Sequence, residues 1–338
     1  MNDLVSLPTL DGPLSDTFGR IHNNLRISVT DRCNLRCTYC MAEDVVFMDK
    51  KELLTFEEIH RFVEIVAPLG IDKIRLTGGE PLLRRDLARL IAMLREVPGI
   101  KDIGLTTNGI LLAPMAQSLF DAGLRRINIS LDALDPDRFR QLARRDGLEK
   151  VLAGIHAAKK AGFDPVKINA VTIRGISDGE VVPLARFARE HGLEMRFIEY
   201  MPIGADNWER EKVYFAHEIL EQIETHVAPL VPATNYDPKA PAMEFNYLDG
   251  AGRVGIIASV SRPFCMTCNR VRLTAEGKLR NCLFALDEVD LKPLLRGGAA
   301  TSEIAALVRE NIWRKWEGHE INTARFVKPQ RTMHAIGG

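Results

Sequence analysis

Between residues 25 and 200 the chain repeats one architectural unit without repeating its sequence: a short β-rich run, a polar or glycine-bearing loop, then a stretch of helical periodicity. The runs are LRISV (25–29), KIRLT (73–77), DIGLT (102–106), RINISL (126–131), VKINAVTI (166–173) and MRFIEY (195–200). TFEEIHRFVEIVAPLG opens on a Thr55–Glu58 capping box and stops at Gly70. LEKVLAGIHAAKKAGF and EVVPLARFAREHG follow the same grammar. Strands alternating with such helices predict right-handed crossovers and a parallel sheet, either doubly wound or curled into a barrel. The unusual polar residues decide between the two, because they fall at strand C-terminal ends: TDRCNLRCTYC, GGEP, TNG, Ser130 with Asp132, and Met201-Pro202. Contributions from five strands to one mouth favour an α/β partial (β/α)6 TIM-like barrel over an open sheet with a single switch point.

After residue 200 the grammar breaks. The chain of 338 residues divides into 1–227, the barrel, and 228–338, a C-terminal region. Residues 228–245 are Pro-rich and read as an ordered connection or linker, and an amphipathic helix is expected around 302–316. Lys plus Arg and Asp plus Glu are both 45, so the chain carries no net charge and no nucleic-acid partner is expected. The N-terminus lacks a basic segment followed by an apolar one, and no uncharged apolar run is long enough for a bilayer, so a cytoplasmic protein without a membrane partner is expected. In a reducing compartment six clustered cysteines are metal ligands or catalytic groups rather than disulfides.

Cys33-x3-Cys37-x2-Cys40 follows the first strand. Three thiolates suit three corners of a 4Fe-4S cluster and leave one iron open to bind and activate a small molecule. Zinc would want a fourth ligand nearby; His22 is eleven residues from Cys33 with a strand between. Cys265-x2-Cys268-x13-Cys282 is again three thiolates, with no histidine between 227 and 318, and reads as a second open-iron cluster. Asn269-Arg270-Val271-Arg272 lies among them; on a strand, Arg270 and Arg272 share one face, a guanidinium pair suited to polyphosphate.

The first triplet, with Tyr39 before its last cysteine and Gly78-Gly79-Glu80-Pro81 after the next strand, resembles the radical S-adenosylmethionine (SAM) superfamily. LRISVTDRCNLRCTYCM, RLTGGEPLLRRDL, LTTNG, NISLDAL, RFIEYMP, CMTCNRVRLTAEGKLRNCL and a terminal Gly337-Gly338 are together similar to the GTP 3',8-cyclase family of molybdenum cofactor biosynthesis, over about residues 18–338. The resemblance implies two 4Fe-4S clusters, SAM on the first and GTP with its guanine at the second. A 5'-deoxyadenosyl radical then takes H3' of the ribose, and C3' adds to guanine C8, giving (8S)-3',8-cyclo-7,8-dihydroguanosine 5'-triphosphate. It further implies SAM contacts at Tyr39, Gly79, Ser130 and Met201, and GTP contacts at Arg26, Arg75, Thr106, Lys167, Arg270, Val271 and Arg272. It also implies a homodimer, a flavodoxin-like or ferredoxin-like reductant, and a downstream pterin-forming enzyme. The glycines of GGEP are expected to let a ligand approach the backbone. Two other readings stay open: another radical SAM enzyme with an auxiliary cluster, and a non-catalytic iron-sulfur or zinc module. The tail HAIGG has three readings of its own: a frayed terminus, a ubiquitin-like glycyl terminus, or a probe entering the active site, as the resemblance implies for Gly337 and Gly338.

Overall fold

The computed structural model describes residues 12–337. All six expected runs are strands: β1 Asn24–Ser28, β2 Lys73–Thr77, β3 Asp102–Thr107, β4 Arg126–Ser130, β5 Val166–Thr172 and β6 Glu194–Glu199, each parallel to the next. Helices Phe56–Val66, Leu87–Arg95, Ala116–Asp121, Pro136–Ala143, Leu148–Ala161 and Val181–Glu190 make the crossovers. The capping box is present: the Thr55 hydroxyl accepts the Glu58 N–H at 3.1 Å, and the Glu58 carboxylate accepts the Thr55 N–H at 2.7 Å.

Side-chain alternation sets the two faces of the sheet. Leu25 and Ile27, Ile74 and Leu76, Ile127 and Ile129, and Met195 and Phe197 go into the apolar core with the helices. Arg26, Arg75, Thr106, Asn128, Lys167 and Arg196 turn the other way and line a central cavity.

The C-terminal region contributes β7 Leu230–Pro232, β8 Met243–Tyr247, β9 Arg253–Ile257, β10 Arg270–Leu273, β11 Lys278–Arg280 and β12 Val289–Asp290. It extends the same sheet. β9 runs parallel beside β6, β10 parallel beside β1, and antiparallel pairs finish both edges, in the order β12-β11-β10-β1-β2-β3-β4-β5-β6-β9-β8-β7. Among the described residues the central run is thus eight parallel strands, two more than the sequence grammar displays. β9 and β10 both line the cavity, so the sheet curls around it as a partial barrel whose ends are not hydrogen-bonded to each other. The Pro-rich stretch 228–245 is an ordered connection, holding β7 and the start of β8.

The expected late helix spans Thr301–Trp313 and buries Ile304, Val308 and Ile312, one stripe at four-residue spacing. A second, small core of Ile203, Val213, Val260, Phe284, Ile321 and Ile336 packs the end of the chain against the barrel. Among the described residues, no helix is long and apolar enough to cross a membrane.

Candidate active site

Both cysteine triplets open into one cavity of about 820 Å³. Cys33, Cys37 and Cys40 come from the loop after β1; Cys265, Cys268 and Cys282 come from the segments flanking β10 and β11. Some 225 residues of chain separate the triplets in sequence. Burial pushes the Cys33 thiol up to about 11 and the Cys40 thiol up to about 12, and it also raises Cys37 well above the ordinary thiol range. Thiols in such a setting stay protonated until a cation sits among them, and a metal cluster supplies one. The donor set therefore fits an iron-sulfur centre with three protein ligands.

Three loops lock the first triplet in place. The Gly79 N–H donates to Thr30 O at 2.7 Å and the Glu80 N–H to Arg32 O at 2.7 Å. A Cβ on Gly78 would lie 2.5 Å from Thr30 O, and one on Gly79 would lie 2.4 Å from Asp31 O. The glycines are thus required by the backbone of the cysteine loop itself, a different reason from the ligand approach expected of them. Glu80, fully enclosed, accepts from Leu82 N–H at 2.9 Å, Thr107 Oγ1 at 2.7 Å and Asn108 N–H at 2.7 Å. Asn108 in turn donates to Asn34 Oδ1 at 2.7 Å and faces Cys33 Sγ at 3.8 Å. Sequence reasoning assigned roles to neither Glu80 nor Asn108, although both sit in motifs it singled out.

The four residues expected to hold SAM, Tyr39, Gly79, Ser130 and Met201, all line this cavity. The Tyr39 hydroxyl donates to Asp132 Oδ2 at 2.6 Å, while Asp132 Oδ1 accepts the Val171 N–H at 2.8 Å. Burial lifts the Asp132 carboxyl to about 6.

Opposite lies a cationic wall. Arg26 pairs in register with Arg272 on one side and Arg75 on the other, so three guanidinium side chains stand abreast on adjacent strands. Among the described residues lining the cavity there are twelve Lys and Arg against five Asp and Glu, in a chain with no net charge. Burial, with the field of Arg270, brings Arg26 down to about 9, and burial with Arg126 brings Arg75 to about 9. Arg26 Nε is buried without a protein partner. Like charges opposite one another on a sheet are destabilising, and an anion between them relieves the cost.

The remaining expected GTP residues divide. Thr106, Lys167 and Arg270 line the cavity with them. Lys167 is ion-paired with Glu194, and Arg270 lies over the Phe264 ring at 4.5 Å. Val271 differs: its side chain is in the apolar core on the reverse face of β10, because alternation that turns both arginines inward turns it out. Arg196 and Arg253, which share Glu244 at 2.9 and 2.8 Å, line the cavity without having been singled out. The alternation of β6 and β9 is the signal that could have found them.

The second triplet has a different electrical setting. Burial opposes ionisation of Cys268, yet Arg270 and Lys315 pull its thiol down to about 5. Buried Lys315 donates to Arg270 O at 2.9 Å and approaches Cys268 Sγ and His22 Nδ1, each at 3.5 Å. His22 Nε2 meets Asp16 Oδ2 at 2.9 Å, which puts this histidine beside the second triplet rather than the first. His319, one residue past the histidine-free window, also reaches the cavity, and its Nδ1 is buried without a protein partner.

The tail is ordered within this site. Gly337 has φ +84°, and its carbonyl accepts from Arg272 Nη1 at 2.8 Å. A Cβ there would lie 2.8 Å from Ser28 Cβ, at the end of β1. Gly337 is thus hydrogen-bonded at both its carbonyl and its N–H, the latter to Met333 O at 3.0 Å; Gly338 lies outside the described residues.

Comparison with known proteins agrees with this anatomy. The model of the Radical SAM superfamily matches residues 27–188, and that of Molybdenum Cofactor Synthesis C matches residues 193–321. The GTP 3',8-cyclase of Rhodopirellula baltica is 46% identical over 330 residues, covering 96% of this chain and 92% of the relative. That of Acidothermus cellulolyticus is 50% identical over 311 residues, covering 90% and 86%. Among solved structures, Streptococcus suis SuiB bound to precursor peptide SuiA superposes with TM-score 0.59 at 14% identity, covering 93% of this chain and 75% of that one, a likeness of fold.

Proposed function

The chain belongs to the GTP 3',8-cyclase family of the radical SAM superfamily, and from that premise we propose that the cavity joins C3' of GTP to C8 of its own guanine, in molybdenum cofactor biosynthesis. The observation that carries the reading is the meeting of both cysteine triplets and the Arg272–Arg26–Arg75 row in one cavity. A 4Fe-4S cluster on Cys33, Cys37 and Cys40 would supply the electron that cleaves SAM into methionine and a 5'-deoxyadenosyl radical. Tyr39, Gly79, Ser130 and Met201 bound the SAM end. Arg26, Arg75, Lys167, Arg270 and Arg272 neutralise the triphosphate, and Thr106 is within the same wall. Holding the two reactants in one enclosed space excludes water from a reactive radical and fixes which ribose hydrogen it meets.

Cys265, Cys268 and Cys282 carry a second 4Fe-4S cluster on this reading, with the guanine at its open iron. His319 favours a competing reading, a Cys3His zinc site. Metal content separates the two: about eight iron per chain for two clusters, against about four iron and one zinc. A homodimer, a flavodoxin-like or ferredoxin-like reductant, a downstream pterin-forming enzyme and a cytoplasmic location complete the proposal. The decisive assay is anaerobic, with reconstituted protein, SAM, dithionite and each nucleoside triphosphate in turn. A cyclised product from GTP alone is expected; 5'-deoxyadenosine without any cyclised nucleotide would overturn the reading.

A further inference from the structure

The tail that reaches the cavity is held by more than its glycines. Six residues before Gly337, Arg331 sits between two carboxylates: its Nη1 is 2.5 Å from Glu276 Oε1, and its Nε donates to Glu288 Oε1. Glu288 Oε1 also accepts from Arg280 Nη1 at 2.6 Å, and Arg280 is the largest fully enclosed side chain among the described residues. Arg280 further donates to Ala285 O. Burial works against the Arg331 charge, but Glu276 and Glu288 hold it on. Glu276 sits in the β10–β11 turn and Glu288 just before β12, so this cluster ties the tail to the same hairpin that carries Arg272 and Cys282.

From the clamp onward the path of the tail is short and fixed. Met333 N–H donates to Ile203 O at 3.1 Å, a single helical turn runs Met333–Ile336, and Ile336 enters the small core with Ile203 and Phe284. His334 stands edge-on to Phe47 of the cysteine loop, with ring centroids 6.2 Å apart. Gly337 then meets Arg272. The two hairpin groups of the cluster, Arg280 and Glu276, are over nine-tenths enclosed, a costly burial of charge that a partner from the tail offsets.

We propose that Arg331 is a positioning residue, and that the Glu276–Arg331–Glu288–Arg280 cluster sets how far the tail enters the cavity, and so whether Gly337 reaches Arg272. The inference rests on the cyclase reading only for its effect on turnover. Insertion of the tail is measurable without turnover.

The experiment compares native protein with Arg331→Met, Arg331→Lys and Glu276→Gln by hydrogen exchange and mass spectrometry of the peptide containing residues 332–338, beside peptides from β10 and β11. Losing these partly buried ion pairs should speed exchange in the tail peptide on the order of ten-fold, while β10 stays protected. Arg331→Lys should restore part of the protection. In the anaerobic GTP assay, Arg331→Met should make less cyclised product per 5'-deoxyadenosine formed. Unchanged exchange in the tail peptide would overturn the clamp, and a freed tail with unchanged product yield would overturn its positioning role. If Arg331→Met loosens β10 as well, Glu276→Gln, which leaves Glu288 between Arg331 and Arg280, decides between the same two outcomes. Native protein that made no cyclised product would sink the cyclase reading and leave the exchange result standing.

Discussion

Gly79 has almost no room for a side chain: a Cβ would meet Asp31 O at 2.4 Å and Arg32 O at 2.5 Å. Gly79→Ala must therefore push the cysteine loop away from β2, at about 1–3 kcal/mol, the usual cost of overpacking. A lowered Tm together with poor iron retention at the first triplet is expected, measured by thermal denaturation and iron analysis of reconstituted protein. Normal values for both would refute the packing argument. Glu80, beside it, titrates in an unusual range, because burial lifts its carboxyl from 4.5 to about 7. The folded state holds this proton more tightly than the unfolded chain does, so the contribution to stability is complete below about pH 4.5 and fades as pH rises through about 7. Glu80→Gln removes the titration. Denaturant unfolding of both proteins should show the native advantage shrinking between those pH values by an amount on the order of 3 kcal/mol; a pH-independent difference would contradict it.

β10 places opposite demands on neighbouring residues. Val271 is 1% exposed and faces the core, whereas Arg270 and Arg272 face the cavity. Val271→Ala should cost about 1.5–3 kcal/mol of stability, from lost apolar burial and a small cavity, with GTP affinity kept. Arg272→Ala should do the reverse, lowering GTP affinity roughly ten-fold as a charge-assisted contact is lost. Equilibrium binding and denaturant unfolding on both variants give a two-by-two result. If Val271→Ala weakened GTP binding as strongly as Arg272→Ala, the alternation argument for this strand would fail. Arg272 also holds Gly337 O, so its removal should free the tail, visible as faster exchange of the Gly337 amide.

The molecule as a whole brings two distant triplets to one space, and removing either tests the arrangement. On the two-cluster reading Cys37→Ser and Cys268→Ser should each retain about four of eight iron. Only Cys268→Ser should still cleave SAM slowly. Residues appended after Gly338 should cut cyclised product per SAM cleaved while leaving iron content unchanged, since the tail is closely packed at Gly337, where a Cβ would lie 2.8 Å from Ser28 Cβ. Equal product yields from tagged and untagged protein would remove the tail from the site. Local chemistry determined a good deal by itself. Period-two alternation in six runs, the Thr55 capping box and the cysteine spacings follow from backbone geometry and ligand stereochemistry that any short segment carries. They placed β1 to β6 and marked five loop ends as the mouth. What only the tertiary structure decided depends on pairs far apart in the chain. Nothing near 265–282 states that β10 will lie beside β1, or that Arg272 will stand next to Arg26. Gly79 is explained by the carbonyls of residues 31 and 32 on another loop, and Lys167 by Glu194 on the next strand. A terminal Gly-Gly looks like a fraying end until Arg331, Ile336 and Arg272 each find a partner elsewhere in the chain. Such contacts arise from the curling of the sheet around a cavity, and that curl is a property of all the strands together.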